Sequence, residues 1–138
     1  MESELTVDAT VDNIATVTDF VNAQLEQFDC PRKALLQIDI AIDELFGNIA
    51  QYAYDPETGP ATVCVEVNEN PLQVLITFID NGVPFDPLGA ETPDTTLPAD
   101  ERDVGGLGIL MVCKSMDDVH YEYKQGCNIL RIRKVLAD

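Results

Sequence analysis

The chain predicts an α+β fold of two layers: about five mainly antiparallel strands with three helices on one face. Three observations carry this. Apolar residues alternate in short runs near the start, in the middle and at the end of the chain. Between the first two of these regions, apolar residues recur instead every three or four positions. The resulting order is strand, two helices, hairpin, long loop, helix, hairpin, with no repeat and no interdomain linker.

Leu5, Val7 and Ala9 alternate within residues 2–9 and mark a short strand. From Val11 to Phe28 the positions Ile14, Val17, Val21, Leu25 and Phe28 form the stripe of an amphipathic helix. Asp29-Cys30-Pro31 breaks it, and Pro31 suits the first turn of a second helix that runs to about Tyr54. The stripe of that helix is Leu35, Ile38, Ile42, Leu45 and Ile49.

After the turn at 55–60, Val63, Val65 and Val67 alternate, then Val74, Ile76 and Phe78. Asn68-Glu69-Asn70-Pro71 joins the two runs into a hairpin. Residues 81–104 hold Pro84, Pro87, Pro93 and Pro98 with many acids, and a loop this long in a compact domain is usually functional or mobile. Gly105 to Met116 reads as a helix with Ile109, Val112 and Cys113 inward. Val119–Lys124 and Asn128–Val135 pair through Gln125-Gly126, which leaves His120, Glu122, Lys124, Arg131 and Arg133 on the open sheet face. His120 is assigned no role there.

A length of 138 residues suits one domain with a core that needs no staples. No run of about 18 apolar residues is present, so no membrane helix is expected. The start Met1-Glu2-Ser3-Glu4 does not read as a signal peptide. Cys30, Cys64, Cys113 and Cys127 show no C-x-x-C spacing, so reduced core thiols in a cytoplasmic protein are expected rather than a zinc site. With 8 Lys plus Arg against 25 Asp plus Glu, the net charge is −17. Such a surface repels nucleic acid and anionic membrane and favours a partner with a basic patch. A bound nucleotide, itself an anion, would need a divalent cation as bridge.

Three boxes carry chemistry. In Asp43-Glu44-Leu45-Phe46-Gly47-Asn48, Glu44 and Asn48 project from one helix face, beside the small Ala41. A carboxylate there can accept a proton from a hydroxyl, and an amide oxygen can ligate Mg²⁺ without adding charge. The same spacing is common on solvated helix faces. In Asp80-Asn81-Gly82-Val83-Pro84-Phe85-Asp86-Pro87, Asp80 continues the inward row of Val74, Ile76 and Phe78. An inward carboxylate needs a donor, which the exocyclic amine of adenine would supply, and Gly82 allows close approach. Asp80-Asn81-Gly82 also fits a plain turn.

In the third box, Gly105, Gly106 and Gly108, with Leu107 among them, open a helix whose bare N–H groups suit phosphate oxygens. A simple loop–helix junction has the same pattern. The spacing matches neither a P-loop nor a dinucleotide-binding fingerprint. Asn128 lies in phase with Leu130 and Ile132, so it assists a nucleotide or is a satisfied buried amide. Arg102 could reach a terminal phosphate, although a solvated loop arginine is the plainer reading.

In their order these boxes resemble the GHKL ATP-binding fold, shared by gyrase, the ninety-kilodalton heat-shock chaperones, sensor histidine kinases and mismatch-repair ATPases. Within it the chain most resembles stand-alone anti-sigma-factor serine kinases over nearly its whole length. The most specific stretches are Ile79 to Pro87, and Val104 to Ile109 followed by Met116-Asp117-Asp118-Val119.

The resemblance implies ATP and Mg²⁺ as cofactors. Glu44 would be the general base, Asn48 the metal ligand and Asp80 the adenine reader with Gly82 beside it. Gly105, Gly106, Leu107 and Gly108 would lie against the phosphates, and residues 86–104 would be the ATP lid. The implied partners are a sigma factor, a STAS-domain anti-anti-sigma protein that is phosphorylated on serine or threonine, a pathway phosphatase and a second copy in a homodimer. A nucleotide-gated regulator-binding module without catalysis is the alternative. The resemblance implies three departures: Cys127 or Asn128 stands where a last-strand threonine is often found, Tyr52 stands near the usual histidine, and Arg102 is displaced slightly from where some relatives place an arginine.

Overall fold

The computed structural model describes residues 2–86 and 104–136, with side chains in the last helix from Gly108 onward. Strand β1 (Glu2–Asp8) leads through a short 3-10 turn, Val11–Asn13, into α1 (Ile14–Leu25). Helix α2 (Arg32–Asn48) follows and continues as one π-helical turn, Ile49–Ala53. Then come β2 (Pro60–Asn68), β3 (Gln73–Asp80), α3 (Val104–Ser115), β4 (Asp118–Lys124) and β5 (Cys127–Val135).

The five strands lie in the order β1-β2-β3-β5-β4, and every neighbouring pair is antiparallel. The expected two-layer fold is borne out. Gln125 and Gly126 both have positive φ, 54° and 79°, in the turn between β4 and β5. This backbone twist matches that of the flanking strands.

The core lies between sheet and helices. Val63, Val65 and Val67 face Phe78, Ile76 and Val74 across the β2–β3 pair, and Ile132 and Leu130 extend the row onto β5. Val17, Val21 and Leu25 of α1 and Ile38, Ile42 and Leu45 of α2 close over them. Helix α2 packs against both α1 and α3. Asn22 donates to Asp39 Oδ1 at 2.9 Å between the first two helices, and Lys134 Nζ donates to the Ser115 carbonyl at 2.6 Å at the end of α3. A lysine at a helix C-terminus satisfies a carbonyl that the helix itself leaves unpaired.

Several expectations change. Pro31 is the N-cap of α2, with ψ 137°, rather than part of its first turn. Ala34, Ala41 and Phe46 join the buried stripe. Cys113 is exposed instead of inward, and Cys30, Cys64 and Cys127 are only half-buried, with Cys30 packed against the edge of the core. Burial is the main cause that raises the thiols of Cys30, Cys64 and Cys113. Among the described residues no helix is long and apolar enough to cross a membrane, and no cluster of His, Cys, Asp and Glu could hold a metal ion.

Candidate functional site

The ends of α2, β3 and β5 meet around a recess of about 390 Å³, its mouth included. Leu45, Ile49, Ala53, Phe78 and Leu130 form its apolar walls, and Asn48, Asp80 and Asn128 supply polar groups. An apolar slot with a few placed polar atoms suits a flat heteroaromatic ring.

Period two carries Asp80 inward at the end of β3, opposite Asn128 on β5. Both are buried. Asp80 Oδ1 accepts from the Gly82 N–H at 2.9 Å and from Asn128 Nδ2 at 2.9 Å. Asn128 Nδ2 also donates to the Val83 carbonyl at 2.8 Å. Its Oδ1 accepts from the Phe85 N–H at 3.1 Å and from the Tyr121 hydroxyl at 2.5 Å. Burial raises the Tyr121 phenol, the Phe85 backbone partly offsets this, and Asp86 and Asp80 raise it further. Tyr121 therefore remains a donor at neutral pH.

The π-turn brings the next part of the site into place. Its Ala53 carbonyl accepts from the Val83 N–H at 2.9 Å. A Cβ on Gly82 would run into that carbonyl, so glycine is required for this close approach. Tyr52, on the same turn, stacks on Phe85 with ring centroids 5.7 Å apart. Tyr54 closes the outer side: its hydroxyl donates to the Pro60 carbonyl at 2.5 Å and accepts from the Asn81 N–H at 2.8 Å.

Glu44 and Asn48 share one face of α2, with Asn48 Nδ2 3.5 Å from Glu44 Oε1. That orientation turns Asn48 Oδ1 away from the carboxylate, and a neutral amide oxygen is a hard ligand of the kind Mg²⁺ accepts. The glycine-rich start of α3 reaches the same place. A Cβ on Gly108 would overlap the Glu44 carboxylate. Gly105 and Gly106 lie in the first turn of α3, where backbone N–H groups have no partner within the helix.

The structure thus gathers Glu44, Asn48, Asp80, Gly82 and Gly108, and sets Asn128 behind Asp80. Nothing is described of the Leu107 side chain. Arg102 and residues 87–103 of the expected lid lie outside the described residues. Sequence reasoning missed Tyr121, Phe85 and Ala53. The phase of Tyr121 with Val119 was a usable signal, whereas the role of the Ala53 carbonyl left no trace in residue type.

A profile of the histidine kinase-like ATPase domain matches residues 7–134. The chain belongs to this family. The serine-protein kinase RsbW of Bacillus cereus is 29% identical over 100 residues, which are 70% of this chain and 61% of that protein. The serine/threonine-protein kinase BtrW of Bordetella bronchiseptica is 26% identical over 95 residues, 69% of this chain and 66% of that one. The chain therefore spans about three fifths of the length of the RsbW relatives it matches.

A crystal structure of the RsbU and RsbW domains of a Mycobacterium tuberculosis protein superposes with a TM-score of 0.69 at 16% identity, covering 99% of this chain and 32% of that one. The histidine kinase domain of a blue-light-activated kinase from Erythrobacter litoralis gives a TM-score of 0.53 at 13% identity, covering 91% and 60%. These two likenesses speak to the fold.

Proposed function

We propose that this chain is an ATP- and Mg²⁺-dependent serine/threonine protein kinase. In this reading it acts as an anti-sigma factor and phosphorylates a STAS-type anti-anti-sigma partner. The observation that carries the reading is that the first two boxes line one recess, through Asn48 and Asp80, while the third packs on the first, with Gly108 against Glu44. Membership of the ATPase domain family and the kinase names of the RsbW and BtrW relatives support it.

Asp80 accepts the adenine amine, and the apolar walls hold the ring. The N–H groups at the start of α3 face the phosphates. Glu44 takes the proton as the partner's hydroxyl oxygen bonds to the terminal phosphorus and ADP departs. Asn48 Oδ1 would hold Mg²⁺, which offsets phosphate charge when bound. The chain's contribution is mainly positioning and fixed electrostatics.

The test is transfer of label from ATP to a purified STAS partner. Glu44→Ala should lower transfer by about 10² to 10⁴-fold while ATP still binds, and transfer at the wild-type rate removes Glu44 as the base. Wild-type protein that binds ATP but labels no partner supports the alternative, a nucleotide-gated binding module. Tyr52, in place of the usual histidine, favours keeping that alternative in the test.

The proposed setting is cytoplasmic, with a sigma factor and a phosphatase as further partners, and a homodimer is part of the same reading. On the open sheet face, Glu2, Glu4 and Glu66 occupy the β1–β2 half. Lys124, Arg131, Arg133 and His120 occupy the β5–β4 half alongside Asp118, Glu122 and Ile129, with Leu75 and Ile79 of β3 between the halves. Two copies stacked with one reversed would set acids over arginines. Arg131→Glu should shift sedimentation toward monomer.

A further inference from the structure

Asn128 reaches the nucleotide reading as a candidate ligand contact, but its hydrogen bonds give it different work. A side-chain amide has two N–H donors and two acceptor lone pairs. All four are engaged by Asp80, Val83, Phe85 and Tyr121. The residue is 5% exposed. No position on the amide is left to address a ligand.

The consequence for Asp80 is one-sidedness. Both donors that meet it, the Gly82 N–H and Asn128 Nδ2, fall on Oδ1. Oδ2 takes neither of these bonds, and Asp80 lines the recess. The terminal torsion of an aspartate is soft, so a carboxylate held at one oxygen is far better oriented than one left to turn. The same amide fixes the strap after β3 through the Val83 carbonyl and the Phe85 N–H. Phe85 stacks on Tyr52 and lines the recess. Base-edge recognition and the aromatic wall thus share one side chain. A threonine in place of Asn128 would have a single O–H donor and could not hold Asp80 and Val83 together.

We propose that Asn128 is a specificity-determining positioning residue, which holds Asp80 as a one-sided acceptor for an amino-bearing purine edge and locks it to the Val83–Phe85 strap. The proposal rests on the nucleotide reading and deepens it. A 6-amino purine offers Asp80 a donor. A 6-oxo purine offers an acceptor that Asp80 repels, and an unsubstituted purine offers nothing.

The test is calorimetric titration of the full chain with ATP, GTP and purine riboside triphosphate, which lacks the amine. Wild-type protein should prefer ATP to both. Asn128→Ala should weaken ATP binding and leave the purine analogue nearly unchanged, lowering the ATP-to-purine preference about tenfold. Asp80→Ala should cause the same collapse, with no further loss in the double variant. If Asn128→Ala does not fold, Tyr121→Phe removes one support of the amide from the sheet side and should lower the same preference by about threefold.

A folded Asn128→Ala that keeps the full preference for ATP overturns the positioning role and leaves the nucleotide reading standing. So does a Tyr121→Phe that keeps it, when Tyr121→Phe is the variant read. Wild-type protein that binds ATP and purine alike overturns amine recognition. Wild-type protein that binds neither overturns the nucleotide reading itself.

Discussion

Gly82 and Gly108 meet neighbours of different stiffness, and this separates what their replacement does. At Gly82 an added methyl meets the Ala53 backbone, held in the π-turn and bonded to Val83. Backbone cannot swing aside, so Gly82→Ala should lower unfolding stability by about 1–3 kcal/mol in urea melts. At Gly108 the methyl meets the end of a flexible carboxylate. Alanine also gains about 1 kcal/mol of helix propensity over glycine. Gly108→Ala should therefore keep near-wild-type stability while turning Glu44 aside, and the proposed phosphoryl transfer should fall at least about tenfold. The glycines themselves were legible in the sequence, but the pairing of Gly108 with Glu44 was not. It joins the bare backbone of one helix to a side chain on another far apart in the chain, and only their packing brings them together.

Tyr121 adds a pH prediction at the same scale. Its folded value lies above that of the unfolded phenol, about 10. Below pH ~10 both states hold the proton and the Asn128 bond contributes fully. Above it the unfolded chain loses its proton first, so stability falls as pH rises through the folded value. Tyr121→Phe should flatten the fall in melting temperature above pH ~10, and an unchanged slope in that variant would assign the alkaline loss to other groups.

Among the elements, α2 shows both the reach of periodicity and its limit. The stripe of Ile38, Ile42 and Leu45 was readable because a helix against one surface buries a narrow face. Ala34, Ala41 and Phe46 widen that face because α2 packs on α1, on α3 and on the sheet beneath. A single amphipathic count does not see a second and third neighbour. Phe46 is among the largest fully buried side chains. Phe46→Ala should cost about 3–5 kcal/mol in denaturant unfolding, a loss that a half-exposed phenylalanine would not show. The π-turn Ile49–Ala53 was likewise hidden inside a continuous helical pattern. Its signature is the extra residue per turn rather than residue type, and π-turns recur at functional sites. Here it presents the Ala53 carbonyl to Val83 and the Tyr52 ring to Phe85.

At the scale of the whole molecule, 25 acids against 8 Lys plus Arg set a repulsion that the fold must overcome. Composition alone showed the sign of that field but not its distribution. Strand register adds that the arginines of β5 share the open face with the acids of β1 and β2. Salt therefore acts on two quantities in opposite directions. Screening shortens the reach of like-charge repulsion to about 10 Å at 0.1 M, which favours the compact monomer. The same screening weakens any contact that sets Glu4 and Glu66 over Arg131 and Arg133. Raising NaCl from low to moderate concentration should raise the melting temperature by a few degrees at a protein concentration too low for self-association. For the proposed homodimer, sedimentation at high protein concentration over the same range should show less dimer. A melting temperature that falls with salt would mean that attractive pairs outweigh the net charge in this fold.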